Sequence, residues 1–268
     1  MPASEPSEQR QRDRQRLAAA VKEAGAIALS FLRGPLRKWT KGAGDSPVTE
    51  ADIACNDLLH SVLVAPGDGW LSEESENDPS RLAARRVWVV DPIDGTRAFI
   101  AGRADWSVSA ALVVDGRPVL AALYAPATDE LFVATSGEGA ARNGAPIVVS
   151  AGHGLDGARV TGPKRVLDRI AVRSGIVAMP RVHSLALRLA RVAHSELDAA
   201  IAGGSGHDWD LAAADLLVHE AGGMLTGLDG KPLIYNRPEP VHGMLIAAGR
   251  ERHPALAELV RAQTLEQA

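Results

Sequence analysis

Apolar residues recur at Leu17, Val21, Ala24, Ala28 and Phe31. Steps of three, four and seven mark one face of a helix, so a first helix is expected from about Glu8 to Leu32, ended by Gly34-Pro35. Lys41 to Pro47 is rich in Gly and reads as a flexible loop. Thr49, with Asp52 three residues on, has the spacing of a capping box. A second helix is therefore expected to run from there to about Val64, where Pro66-Gly67-Asp68-Gly69 breaks it. The pattern then changes to short apolar runs. Strands are expected at Trp70–Ser72 and Val87–Val90, and Trp106–Val114 with Pro118–Tyr124 reads as a hairpin turning at Asp115-Gly116. Leu131–Ala134 and Pro146–Val149 follow as strands, with a turn at Asn143-Gly144.

Past about residue 150 helical and extended patterns alternate. Helices are expected at Lys164–Val172, Ser184–His194, Leu211–Ala221 and His253–Gln263. Strands are expected at Arg159–Thr161, Leu197–Ile201, Gly223–Thr226 and Gly243–Ala248. The reading is one α/β domain over 11–268. Its first half, about 11–150, has helices and an antiparallel sheet; its second, about 151–268, alternates helix and strand. Residues 1–10, rich in Ser, Glu, Pro and Arg, are expected to be disordered.

The chain has 268 residues, 46% of them apolar, enough for a substantial core. A formal net charge of -4 gives no attraction to nucleic acid or to an anionic membrane. Aromatics, at 4%, are too few for a base-stacking platform. A single cysteine, Cys55, excludes an intrachain disulfide, fits a reducing cytoplasm and is expected to pack in the core. No apolar run approaches the ~18 residues of a membrane span, and the first residues have no apolar signal region.

Acidic residues are what change the picture. Asp91-Pro92-Ile93-Asp94-Gly95-Thr96 leaves the apolar run Val87–Val90, and Pro92 and Gly95 are expected to end that strand. Two carboxylates with a carbonyl between them suit a hard divalent cation, which takes oxygen ligands. Ser72-Glu73-Glu74-Ser75 lies upstream, and Asp208-Trp209-Asp210 opens a helix far downstream. Taken singly, each has a plainer reading. Asp91 and Asp94 can cap a turn, Glu73 and Glu74 can be a solvated pair, Asp210 an N-cap and Asp52 a first-turn acid. Lys41 alone is a surface lysine. Their combination favours a phosphate-ester site. Such hydrolysis needs charge neutralisation and a positioned water, which two metal ions supply, while N–H groups at a Gly turn hold phosphate oxygens.

Together these motifs resemble the inositol monophosphatase superfamily of Mg²⁺-dependent, lithium-sensitive phosphatases. The similarity runs from Lys41 to about Gly223 and includes Asp-Pro-Ile-Asp-Gly-Thr, Trp209-Asp210 and Glu220-Ala221-Gly222-Gly223, with Ser72 where the family has Gly. The resemblance implies a layered α-β-α-β-α sandwich and two or three Mg²⁺ ions. The metal ligands would be Glu73, Asp91, the Ile93 carbonyl, Asp94 and Asp210. Asp52 and Thr96, with Glu73, would activate the attacking water. Gly95 and Thr96 would donate N–H groups to phosphate, Lys41 would lie near a third metal position and Glu74 would be a neighbouring acid. A small phosphorylated metabolite is the implied substrate, in the cytoplasm, and the resemblance allows a homodimer as well as a monomer.

Arg97 to Ile100, and no acid between Ala202 and His207, are similar to the 3'(2'),5'-bisphosphate nucleotidase branch. Arg188 stands where that branch carries a basic residue, useful for a second phosphate; its plainer reading is a surface arginine. Arg142-Asn143-Gly144 is more typical of the inositol branch. The preferred activity is hydrolysis of 3'-phosphoadenosine 5'-phosphate to AMP. Alternatives are an inositol-1-phosphatase, a histidinol or sugar phosphatase, or a non-catalytic phosphometabolite-binding protein. A haloacid-dehalogenase fit is poorer, because its two Asp are two residues apart.

Overall fold

The computed structural model describes residues 7–41 and 46–265. Five layers stack as helix, sheet, helix, sheet, helix. The outer helices are α1 (Ser7–Phe31) and α2 (Glu50–Leu63). Thr49 and Asp52 close the expected capping box on α2, each side chain bonded to the other's backbone N–H. Residues 7–10 belong to α1, which corrects the expectation of disorder there; residues 1–6 lie outside the described residues. So does 42–45, the middle of the expected loop. Its two ends are strands, β1 (Lys38–Lys41) and β2 (Ser46–Thr49), paired antiparallel.

The larger sheet has seven strands: β3 (Gly69–Ser72), β4 (Arg86–Asp94), β5 (Ser107–Val114), β6 (Arg117–Ala125), β7 (Glu130–Thr135), β8 (Gly139–Arg142) and β9 (Ala145–Pro146). They pair in chain order, β3 parallel to β4 and the rest antiparallel. A short helix, α3 (Thr96–Ile100), follows β4. Of the expected strand Pro146–Val149 only Pro146 is extended in a ladder, as the end of β9.

In the second half come β10 (Arg159–Thr161), α4 (Lys164–Ser174), β11 (Val177–Ala178), α5 (Leu185–Ala193), β12 (Ala199–Ala202) and β13 (Gly206–His207). The chain continues through α6 (Asp208–Glu220), β14 (Gly223–Gly227), β15 (Val241–His242), β16 (Leu245–Gly249) and α7 (His253–Leu265). Five strands form the second sheet in the order β11-β10-β12-β16-β14, while β13 and β15 make a separate two-residue ladder.

Alternation along β4 explains the layering, because successive strand side chains face opposite sides. Trp88 and Val90 pack with Leu17, Val21, Cys55 and Leu59 of α1 and α2. Val87 and Val89 turn the other way, into a core shared with Leu189 and Val192 of α5 and Leu216 and Leu217 of α6. Ala200 of β12 and Ala247 of β16 close that core from the second sheet, so the middle helices join the two halves. On the far face Ile201 and Ile246 meet Leu167 of α4 and Leu256 of α7. Cys55 is fully buried, its thiol 3.2 Å from the Ala24 carbonyl, and burial pushes it up to about 12. It packs rather than reacts. Among the described residues no helix is long and apolar enough to cross a membrane.

Candidate active site

The expected strand end at Val90 needs correcting. β4 runs on through Pro92 to Asp94 by means of a bulge. Asp91 lies opposite Ser109 and Asp94 opposite Ser107, so β4 carries one residue more than its partner there. Bulges are where strands accommodate proline. The extra residue also has a chemical effect. Residues three apart on a regular strand face opposite sides; with the insertion, Asp91 and Asp94 face the same side. Ile93 stays in the outer core. What stops the strand is Gly95, at φ 92°, a left-handed conformation that a side chain resists. A Cβ there would also come within 3.1 Å of the Ser184 N and 3.2 Å of the Asp105 carbonyl. Gly95 and Thr96 open α3, ahead of the first bonds of the helix, which run from Ala98 N (2.8 Å) and Phe99 N (3.1 Å) to the Gly95 carbonyl.

Asp94 is held by the start of α5. It accepts from Ser184 Oγ (2.6 Å), Leu185 N (3.1 Å) and Ala186 N (2.6 Å). Ser184, which sequence reasoning placed only as a helix start, is thus a hydrogen-bond partner of Asp94. The helix α6 begins at Asp208, three residues before the expected Leu211, so Asp210 sits within its first turn. There the Asp210 Oδ2 accepts from His207 N at 2.6 Å. Among the described residues, ligand oxygens of Asp91, Asp94 and Asp210 lie within 4.8 Å of one another and could hold a metal ion.

Glu73 follows β3, its N–H bonded to the Val90 carbonyl at 3.2 Å. Ser72, in place of glycine, ties this loop down through Asn56 Oδ1 (2.7 Å) and Glu74 N (3.2 Å). Lys41 reaches the same loop, pairing with Glu74 and donating to the Glu73 carbonyl at 2.7 Å. Asp52 accepts from Thr49 N (2.8 Å) and Oγ1 (2.6 Å) on one oxygen. Its other oxygen faces Thr96 Oγ1 at 3.4 Å. That hydroxyl also lies 3.0 Å from the Ile93 carbonyl.

These acids are buried together. Burial, then the charges of Glu73, Asp94 and Asp210, hold the Asp91 carboxyl well above the ordinary range. Burial, then Asp210, raises Asp94 to about 7. Burial, then Asp210 again, raises Glu73 to about 8. Asp52 rises to about 6, chiefly by burial. Glu74 is raised for the same reason, against the pull of Lys41. Carboxylates crowded in this way repel one another unless protons or cations intervene. An all-oxygen donor set of this kind suits a hard divalent cation.

Beside the cluster is a cavity of about 350 Å³ lined by Asp210, Lys164, Arg181, His183, Arg188 and the 203–206 turn. Arg188 is buried and bonds the Val182 carbonyl through Nε (3.1 Å) and Nη2 (2.6 Å), so it is not a surface arginine. Larger hollows, of about 590 and 640 Å³, do not touch the carboxylates. Lys164, Arg181 and His183 were not singled out from the sequence, and no local pattern marks them. Two sequence clues to substrate change meaning. Phe99 packs edge-on against Trp106 in the core, at 4.9 Å. Asn143 and Gly144 are the left-handed turn joining β8 and β9, bonded to Leu131 and Asp129 rather than to the site.

Stacked layers with buried carboxylates gathered where β4, α5 and α6 meet place the chain among the metal-dependent phosphomonoesterases. The profile of the inositol monophosphatase family matches residues 9–265, and the chain belongs to that family, whose members are phosphatases. It is 38% identical over 230 residues to a Streptomyces griseus protein named glucose-1-phosphate thymidylyltransferase, covering 80% of this chain and 86% of that one. It is 36% identical over 228 residues to a Mycobacterium leprae 3'-phosphoadenosine 5'-phosphate phosphatase, 78% of this chain and 80% of that one. The crystal structure of the Bartonella henselae extragenic suppressor protein suhB superposes with a TM-score of 0.80 at 27% identity, over 92% of this chain and 97% of that one.

Proposed function

We propose that this phosphatase is a Mg²⁺-dependent 3'(2'),5'-bisphosphate nucleotidase that hydrolyses 3'-phosphoadenosine 5'-phosphate to AMP and phosphate. The observation that carries the choice is the buried Arg188 in a cavity with Arg181 and Lys164, next to Asp210. A substrate with two phosphates places one at the carboxylate cluster and needs cationic partners for the other. The Mycobacterium leprae relative's name supports the same reading. The inositol reading loses its main clue, since the Asn143-Gly144 turn is structural.

Asp91, Asp94, Asp210, Glu73 and the Ile93 carbonyl are the residues that would hold Mg²⁺. Bound there, the metal would neutralise phosphoryl charge and lower the pKa of the attacking water. Thr96 Oγ1 orients that water, and Asp52, with its carboxyl at about 6, takes up the proton near neutral pH. First-turn N–H groups at Gly95 and Thr96 hold phosphoryl oxygens. Lys41 fixes the Glu73–Glu74 loop from the far side.

Phosphate release from a substrate panel with Mg²⁺, with and without Li⁺, is the test. The panel includes 3'-phosphoadenosine 5'-phosphate, inositol 1-phosphate, histidinol phosphate and sugar phosphates. A separate arm supplies dTTP and glucose 1-phosphate, the reaction in the Streptomyces relative's name. The expected result is the highest kcat/KM on the bisphosphate nucleotide. A higher value on inositol 1-phosphate would overturn the assignment.

A further inference from the structure

Behind the start of α6 lies a buried polar network that the chemistry above does not use. Asp208, fully buried, accepts from Asn236 N at 2.7 Å on one oxygen and pairs with His242 Nε2 at 2.7 Å on the other. Its own N–H donates to the Pro240 carbonyl at 2.9 Å. Arg81, 1% exposed, engages all three guanidinium nitrogens: Nε with Asn77 Oδ1 (2.8 Å), Nη1 with Asn236 Oδ1 (2.5 Å) and Nη2 with the Arg237 carbonyl (3.0 Å). Asn236 returns a bond from Nδ2 to the Arg81 carbonyl at 3.1 Å. Asn236 thus joins Arg81 to Asp208, and the β13–β15 ladder fastens the same segment beside His207.

Each end of this network adjoins an acid of the pocket. Asn77 lies in the loop that carries Glu73 and Glu74, and Asp208 lies in the same helical turn as Asp210. Well-packed apolar side chains stabilise a core about as well as a buried ionic network does. A network in this place does something an apolar patch does not: its directional bonds fix the loop relative to the helix.

We propose that Arg81, Asn236, Asp208 and His242 are positioning residues, a brace that sets the separation between the Glu73 loop and the Asp210 turn before a cation binds. The inference rests on the carboxylate cluster being a metal site. Outer groups that orient ligands typically change metal affinity about 10- to 100-fold when removed.

Asn236→Gly tests it. Asn236 has φ 58°, which glycine adopts freely, and its backbone N–H to Asp208 is retained. Mg²⁺ is titrated calorimetrically into metal-stripped protein at 25 °C, with circular dichroism to verify folding. Affinity should fall about tenfold or more, and the Mg²⁺ concentration giving half-maximal turnover should rise by the same factor. Wild-type affinity with only a lower Tm would overturn the proposal, because it would make the brace architectural. If Asn236→Gly does not fold, Arg81→Lys, which keeps charge but loses the fork, decides by the same titration; failure of both to fold also makes the network architectural and overturns the proposal. Asp91→Asn separates the two layers of the argument. Undiminished Mg²⁺ binding there sinks the metal-site reading itself, whereas lost binding there with none lost in the brace variants sinks only the brace.

Discussion

Replacing Glu73 with glutamine should make the metal-free protein more stable while destroying its function. Burial, followed by the charge of Asp210, pushes the Glu73 carboxyl from its ordinary 4.5 up to about 8. At pH 8 the unfolded chain ionises Glu73 freely and the folded chain resists, so ionisation favours unfolding. Each pH unit between the two values is worth about 1.4 kcal/mol, which gives about 4 kcal/mol at pH 8. Glu73 is only half-buried, and water screens part of this, leaving on the order of 2 to 3 kcal/mol. Glutamine has nearly the same shape and no charge to lose. For a chain of this size that gain corresponds to a Tm rise of about 4 to 6 °C. At pH 5 the folded protein holds the carboxyl protonated and the unfolded chain is near its own midpoint, so the gain nearly disappears. The assay is thermal unfolding of chelator-treated wild type and Glu73→Gln at both pH values. Comparing the two proteins at each pH cancels the contribution of histidines elsewhere. No rise at pH 8, or an equal rise at pH 5, refutes the reasoning. Added Mg²⁺ should then stabilise the wild type more than the variant.

Asp91→Asn should weaken Mg²⁺ binding and cut the rate by orders of magnitude with the fold intact, measured as phosphate release at increasing Mg²⁺; unchanged turnover at saturating metal contradicts it. Mg²⁺ affinity should rise between pH 6 and 8, by up to about tenfold per pH unit for each proton released, because Asp94 at about 7 and Glu73 at about 8 must shed protons to become ligands; a flat calorimetric profile argues against a carboxylate site. Arg188→Ala should reduce kcat/KM on bisphosphates more than on monophosphates. Arg181→Ala, which spares the Val182 carbonyl contacts, should do the same, and an equal loss on both substrate types removes their selectivity role.

Local features were legible because local bonds make them. The Thr49–Asp52 capping box closes within one helical turn, and the apolar run of β4 needs only its own alternation. Asp91 and Asp94 were legible as candidate ligands because their motif is contiguous. The bulge was not, since Pro92 looks like a strand end until β5 supplies the two serines that count around it. Arg188 sits on a helix whose polar and apolar faces do not reveal which side a cavity will occupy. The Ser184 tether to Asp94 and the Arg81–Asn236 link span 90 and 155 residues, beyond any periodicity. Two-residue strands such as β13 and β15 exist only because each finds the other.

The inserted residue in β4 makes the pocket sensitive to chain length in a way it is not to side-chain identity. Removing one of the two residues between Asp91 and Asp94 would leave one, and a regular ladder, with both carboxylates still on the same face. Yet the bulge would go with it, and with the bulge the bend of the strand that brings Gly95 against Ser184 and Asp105 and Thr96 to Asp52. Adding one residue instead would turn Asp94 toward the outer helices. The motif is therefore guarded by its length: substitutions within it can be graded, but a shift in count in either direction disturbs it, by losing the bend or by turning Asp94 away.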